Sequence, residues 1–226
     1  MKVLVACEFS GTVRDAFSHL GHDAWSCDLL PSETPGNHIQ GDVAQVIGGG
    51  FDLMIAHPPC TYLCSSGMHW TTRGHRDPKL TEDALAFVHL LMEAPIPLIA
   101  VENPNGVIGT RIRPWDQFVQ PYHFGHDASK KTGLWLKGLP LVTGTKYVPP
   151  RLVCKRCKAV FYQQCGDKPC RNCDLNGQWF MMRWANQTDS GQNRLTPSER
   201  RWAERSKTYS GIAEAMANQW GNVTPK

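Results

Sequence analysis

Four side chains in this 226-residue chain have the type and spacing for chemistry, each standing just past a short apolar run. In Phe51-Asp-Leu-Met-Ile-Ala-His-Pro-Pro-Cys60, four apolar residues read as a buried strand that two prolines stop abruptly. Cys60 then sits on a stiff turn at a strand's carboxyl end, the edge where open α/β sheets bind ligands, and a thiol of fixed direction there suits a nucleophile. On that decapeptide alone a buried structural cysteine, the commoner fate of a lone Cys, is the favoured reading. Leu98-Ile-Ala-Val101 is a second strand, and Glu102-Asn103 follows it, so a carboxyl group able to move a proton stands past a neighbouring strand end. Asp28 closes the run Gly21 to Asp28, and an acid there can bind both hydroxyls of a ribose or simply form a turn before Pro31. Asp42 closes the run His38 to Val43 in the same way.

The elements that must position these groups are legible around them. Lys2 to Ala6 reads as the first strand, and Glu8-Phe-Ser-Gly-Thr-Val-Arg-Asp-Ala-Phe17 as a glycine turn and a Ser/Thr-capped helix. A strand, glycine turn and helix form the opening unit of a nucleotide-type fold. After Cys60, residues 61 to 79 read as a long loop, of a length that is either functional or disordered, followed by a helix capped by Thr81. Tyr122 to Gly125 and Thr132 to Lys137 read as antiparallel strands flanking Lys130-Lys131, and Thr196 to Ser206 as an arginine-rich helix. A last helix starts at Ser210 and Gly211.

From Pro149 the character changes. Cys154-Lys-Arg-Cys157 and Cys170-Arg-Asn-Cys173 are paired knuckles with twelve residues between them, a spacing that suits four thiolates around Zn²⁺. Cys165, inside that loop, is a spare or substitute ligand. Hydrophobic residues at 41% and charged residues at 19% are ordinary globular values, and a net charge of +4 permits a polyanionic partner without demanding one. No apolar stretch has signal-peptide form or membrane-spanning length, which points to a cytosolic chain whose nine cysteines serve as thiols or ligands rather than disulfides.

With these residues in view, the chain resembles the cytosine-5 DNA methyltransferases, most closely the compact versions found in phage genomes. Glu8-Phe9-Ser10-Gly11 is similar to the family's first motif, which contacts S-adenosylmethionine; Asp28, with Leu29, falls where the cofactor ribose is held. Asp42 and Val43 fall at the adenine, and Pro58-Pro59-Cys60 is similar to the catalytic Pro-Cys loop. Glu102-Asn103 is similar to the family's Glu-Asn pair, and Tyr209 to Ala217, with Ser210, to the closing motif that completes the cofactor pocket. The resemblance implies a Rossmann-like class I methyltransferase sheet over residues 1–148, with a small zinc-binding target-recognition insert at 149–206. A helix at 207–226 returns to the cofactor.

The implied reaction runs on double-stranded DNA. Cys60 adds to carbon 6 of a flipped-out cytosine, Glu102 protonates ring nitrogen 3, and carbon 5 takes the methyl group. Pro58 lies on the cofactor side; Pro59, Ser65, Arg73, Asn103 and Lys130 are the substrate contacts. The family's Gln-x-Arg-x-Arg run has no counterpart here, and Lys131, with Lys130, stands in as the cation near the base. Those lysines keep a second reading open, in which a different alkyl group, such as carboxymethyl, comes from a modified sulfonium donor. A third reading is a non-catalytic zinc-dependent DNA-binding protein.

Overall fold

The computed structural model describes residues 1–162 and 180–224. The chain divides into two compact units: 1–119, 131–143 and 208–226 form one, and 120–130 and 144–207 form the other. The second unit thus includes the segment 120–130, which the sequence reading assigns to the core.

The first unit is built on an open, twisted sheet. Its strands are β1 (Lys2–Ala6), β2 (Asp23–Asp28), β3 (His38–Gln40), β4 (Leu53–Ala56), β5 (Leu98–Pro104), β6 (Gln117–Val119) and β7 (Thr132–Lys137), arranged β3-β2-β1-β4-β5-β7-β6. The first five pair in parallel, and β7 runs antiparallel to both β5 and β6. This is the Rossmann-like, largely parallel α/β sheet expected from the sequence. β1, β4 and β5 read as continuous Val/Ile/Leu/Ala runs because helices cover both faces, and residues 3–6 and 53–56 are fully buried.

Helix α1 (Thr12–His19) follows β1 and packs with α6 (Ser210–Trp220). Helix α3 (Lys79–Met92) places Leu85, Val88 and Leu91 in the core cluster with Met54, Ala56, Ile99 and Val101. Trp220, with no exposed surface, anchors the last helix by donating its indole N–H to the Pro140 carbonyl at 2.9 Å. Among the described residues, no helix is long and apolar enough to cross a membrane.

Four local expectations are corrected. Residues 61–79 are not one loop, because α2 (Ser65–Thr72) forms within them; it buries no side chain, so no apolar stripe betrays it in the sequence. The strand expected at 122–125 is a 3-10 turn, Pro121–His123, whose proline favours the turn, and the partner of β7 is β6 instead. The arginine-rich helix is confined to α5 (Arg201–Ser206). The cap of α1 is only partly from a serine: the Ser10 hydroxyl accepts from the Thr12 amide at 3.3 Å, while Glu8 takes the amides of Val13 and Arg14.

The second unit contains a three-stranded antiparallel sheet in the order β10-β8-β9, from β8 (Arg151–Cys154), β9 (Val160–Tyr162) and β10 (Phe180–Arg183). Tyr122 and Trp184 stack there at 4.1 Å between centroids.

Candidate active site

The sheet's carboxyl edge collects the sequence-predicted residues of the first unit in two groups. The first lies where β1, β2 and β3 end. After β1 the chain turns through Cys7, a non-glycine residue held at φ 59, and Gly11 at φ 75, which opens α1. Gly11 has no alternative, because a Cβ there would collide with the side chains of Thr34 and Arg14.

Glu8, 5% exposed, accepts from the amides of Val13 at 2.7 Å and Arg14 at 3.1 Å and from the Ser10 hydroxyl at 3.2 Å. Its carboxylate satisfies the positive amino end of α1. The direct cofactor contact expected of Glu8 is thereby replaced by a task in shaping the turn. Phe9 and Ser10 are largely buried beside it, and the Phe9 carbonyl accepts from the Glu33 amide at 2.8 Å.

Arg14, which the sequence reading passed over, is fully buried and pairs with Asp15 at 2.8 Å. Its guanidinium also donates to Ser26, Ser32, Thr34 and the Pro35 carbonyl, fastening the segment after β2 over the turn. A buried cation with that many acceptors is a structural tie.

Asp28, at the end of β2, accepts from the Leu30 amide at 2.9 Å. Burial pushes its carboxyl above the usual range, opposed by the Leu30 amide and by His38. Leu29 is 72% exposed beside it. Asp42 caps a short 3-10 turn, Val43–Gln45, by accepting from the Ala44 amide at 2.9 Å, and Val43 belongs to the core cluster. These two carboxylates surround the Cys7 and Cys27 thiols. Burial pushes Cys7 up to about 12 and Cys27 up to about 11, and the Asp28 and Asp42 charges add to both. Ser210, exposed, is the first residue of α6. A half-buried acid at the end of β2, a second after β3 and a tight glycine turn before α1 fit the ribose and base of a nucleoside donor.

The second group lies where β4, β5 and β7 meet. The parallel register pairs Ile55 with Ala100 and Ala56 with Val101, so its continuation sets His57 beside Glu102 and Pro58 beside Asn103. Both pairs are bonded: His57 Nδ1 lies 2.9 Å from Glu102 Oε2, and Asn103 Nδ2 donates to the Pro58 carbonyl at 2.7 Å. Asn103 is 1% exposed, so it braces the Pro-Pro turn from behind instead of touching substrate as its place in the sequence suggested.

Pro59 is exposed and Cys60 partly so; the Glu102 side chain is 13% exposed. Cys60 is therefore not a fully buried residue, nor is Glu102 turned out to bulk water. The Cys60 carbonyl accepts from the amides of Leu63 at 3.0 Å and Cys64 at 2.9 Å, forming a single helical turn. Gly106 lets this turn lie against the segment after β5, since a Cβ there would strike the Leu63 carbonyl. Ser65 is pinned to the same segment, its amide and hydroxyl both donating to the Asn105 carbonyl at 3.1 Å.

Cys64 is the residue that sequence reasoning missed here, although the Cys60-x-x-x-Cys64 spacing of one helical turn was the available signal. A hydrogen bond from Cys60 pulls the Cys64 thiol down to about 5, helped by the Ser66 hydroxyl and the amides of Ser66 and Gly67 at the start of α2 and opposed by burial. The bond thus stabilises a thiolate on Cys64, with Cys60 as its hydrogen-bond donor. Arg73, at the end of α2, is exposed. Lys131 stands at the start of β7, next to the Glu102 strand, with its ammonium 3.6 Å from the centre of the Phe118 ring.

In the second unit, Lys130 donates to the Lys207 carbonyl at 3.3 Å. Cys154 and Cys157 occupy the turn from β8 to β9, Cys154 buried and Cys157 exposed, where the Lys158 amide donates to the Cys154 carbonyl at 3.1 Å. Cys165, Cys170 and Cys173 lie outside the described residues. Among the described residues, no group of three or more His, Cys, Asp or Glu could hold a metal ion.

Neither a protein-family model nor a curated protein matches the sequence. Among solved structures, the chain is similar to one described as a DNA modification methyltransferase encoded within a prophage (E. coli). The identity is 17%, the TM-score 0.44, and the match covers 66% of this chain and 52% of that one. The chain spans about half the length of that protein. A likeness at this level adds nothing about the reaction, and the fold assignment rests on the strand order above.

Proposed function

We propose that the chain transfers a methyl group from S-adenosylmethionine to carbon 5 of a cytosine flipped out of double-stranded DNA, through a covalent adduct on Cys60. The observation that carries this reading is the β4–β5 register, which delivers a braced thiol loop and a hydrogen-bonded carboxyl group side by side at the ligand edge of the sheet. Carbon 5 of cytosine is a poor nucleophile. Addition of the Cys60 sulfur to carbon 6 shifts the ring's π electrons toward nitrogen 3, and the Glu102 proton passes to that nitrogen, leaving an enamine whose carbon 5 is nucleophilic.

The donor, when bound, supplies a carbon on a sulfonium that carbon 5 can attack. Asp28, Asp42 and the turn from Cys7 to Gly11 would hold it, and their negative charge suits a cation. Loss of the carbon 5 proton to a base then breaks the sulfur–carbon 6 bond and returns the electron pair to Cys60, and ring nitrogen 3 gives its proton back to Glu102. The Cys64 thiolate, hydrogen-bonded to Cys60, would take the Cys60 proton as that sulfur attacks. Between His57 and Arg76 the chain has no Asp or Glu, which suits an approach to phosphates, and Lys131 lies at the same edge as Glu102. Cys154 and Cys157, with Cys170 and Cys173, would hold a structural Zn²⁺ in the region that reads the DNA.

The test is incubation of the purified chain with duplex DNA and S-adenosylmethionine, followed by mass analysis of the nucleosides. We expect 5-methylcytosine from the natural chain and none from Cys60→Ala. Unmodified cytosine from the natural chain contradicts the reading and favours a binding protein without catalysis.

A further inference from the structure

His57 stands three residues before Cys60, immediately after β4, and its environment is that of a working group rather than of a filler. The backbone N–H donates to the Ala6 carbonyl at 2.9 Å, fixing the residue to the central strand. The imidazole is 9% exposed, Nδ1 meets Glu102 Oε2 at 2.9 Å, and Nε2 is buried with no partner among the described residues. A buried N–H without an acceptor is costlier and rarer than a lone pair without a donor. The favoured tautomer therefore carries its proton on Nδ1, donates it to Oε2, and leaves only a lone pair unmet at Nε2.

That assignment orients the carboxyl group. With Oε2 occupied as an acceptor, a protonated Glu102 carries its hydrogen on Oε1. We infer that His57 is a positioning residue for Glu102: it fixes which oxygen delivers the proton to the base and stabilises the carboxylate left behind. The inference rests on the covalent reading above. As sulfur adds to carbon 6 and ring nitrogen 3 takes the Oε1 proton, Glu102 becomes anionic. The Nδ1–H···Oε2 bond then becomes charge-assisted, roughly twice as strong as a neutral one. This gain exists in the transition state and not in the ground state, so its loss lowers kcat and leaves KM alone. The register is what makes the device possible, since a slip of one residue between β4 and β5 would put the two side chains on opposite faces.

The experiment compares the natural chain with His57→Ala and His57→Asn, because the asparagine amide can present an N–H where Nδ1–H stood. Donor affinity by titration calorimetry and thermal melting establish that each variant is folded. Turnover is followed on duplex DNA, and the Cys60 adduct is timed on duplex carrying 5-fluorocytosine, in which the departing proton is replaced. His57→Ala is expected to lower kcat and adduct rate about a hundredfold with KM and donor affinity held within about threefold. His57→Asn should recover about tenfold of that loss. The inference is overturned if both variants turn over within about threefold of the natural chain, or if KM moves and kcat does not. Inactivity of the natural chain on cytosine would remove the covalent reading and this one with it. An active natural chain with an equally active His57→Ala would remove only this one.

Discussion

The same sheet edge treats its thiols in opposite ways at its two ends. Where β1, β2 and β3 finish, burial and two carboxylates push Cys7 up to about 12 and Cys27 up to about 11. Where β4 and β5 finish, a bond from Cys60 pulls Cys64 down to about 5, in a stretch with no acidic residue between His57 and Arg76. The difference teaches how one residue type is made inert or reactive. Acids that suit a cationic nucleoside donor suppress thiolates beside them, and an acid-free turn opening a helix sustains one. Charge is thus separated along a single edge, the anionic end suiting the sulfonium donor we propose and the other end the proposed DNA and nucleophile.

The comparison can be broken most sharply at Cys60. Cys60→Ala should lower transfer at least about a thousandfold while DNA binding, read by gel shift, stays within about threefold. Cys64→Ala removes the thiolate to which Cys60 donates, and a loss of about tenfold near pH 7 is expected, smaller at high pH where hydroxide can take the Cys60 proton.

Next in size is the contrast in alkylation by iodoacetamide. At pH 7 the Cys60–Cys64 pair should be labelled about a hundredfold faster than Cys7 or Cys27, as read by peptide mass analysis. Labelling of the pair should fall as pH drops through about 5, whereas Cys7 and Cys27 should gain reactivity only as pH approaches 11 to 12. Stability follows the same signs. The Cys64 contribution is present above the ordinary thiol value of 9.0 and lost as pH falls toward 5; those of Cys7 and Cys27 are present below 9.0 and lost as pH rises through their own values.

The smallest expected effect belongs to the donor end. Asp28→Asn should weaken S-adenosylmethionine binding about tenfold by calorimetry and leave the labelling of Cys60 and Cys64 unchanged.

The sheet was legible because its strands are apolar runs that stop at Pro or Asp, and the positions of Cys60, Asp28 and Asp42 at or just past strand ends followed directly, whereas β5 runs on through Glu102 and Asn103 to Pro104 because β7 pairs with it there. What escaped the sequence were pairings across distance. His57 and Glu102 are 45 residues apart, and only the β4–β5 register makes them neighbours. Arg14 drew no reading from the sequence, because the serine and threonine acceptors that take it into the interior lie 12 to 20 positions away. Glu8 and Asn103 were read as contacts with cofactor and substrate, because both stand at the right edge, but backbone groups claim them first. Helix α2 was hidden because it buries nothing.

The central claim is that Cys60, rather than Cys64 or any other thiol, bonds to the pyrimidine ring. It is tested most directly by incubating the chain with S-adenosylmethionine and duplex DNA carrying 5-fluorocytosine, digesting the product and locating the nucleotide by peptide mass analysis. A nucleotide attached to the Cys60 peptide is the predicted result. No adduct, or an adduct on the Cys64 sulfur, would contradict it.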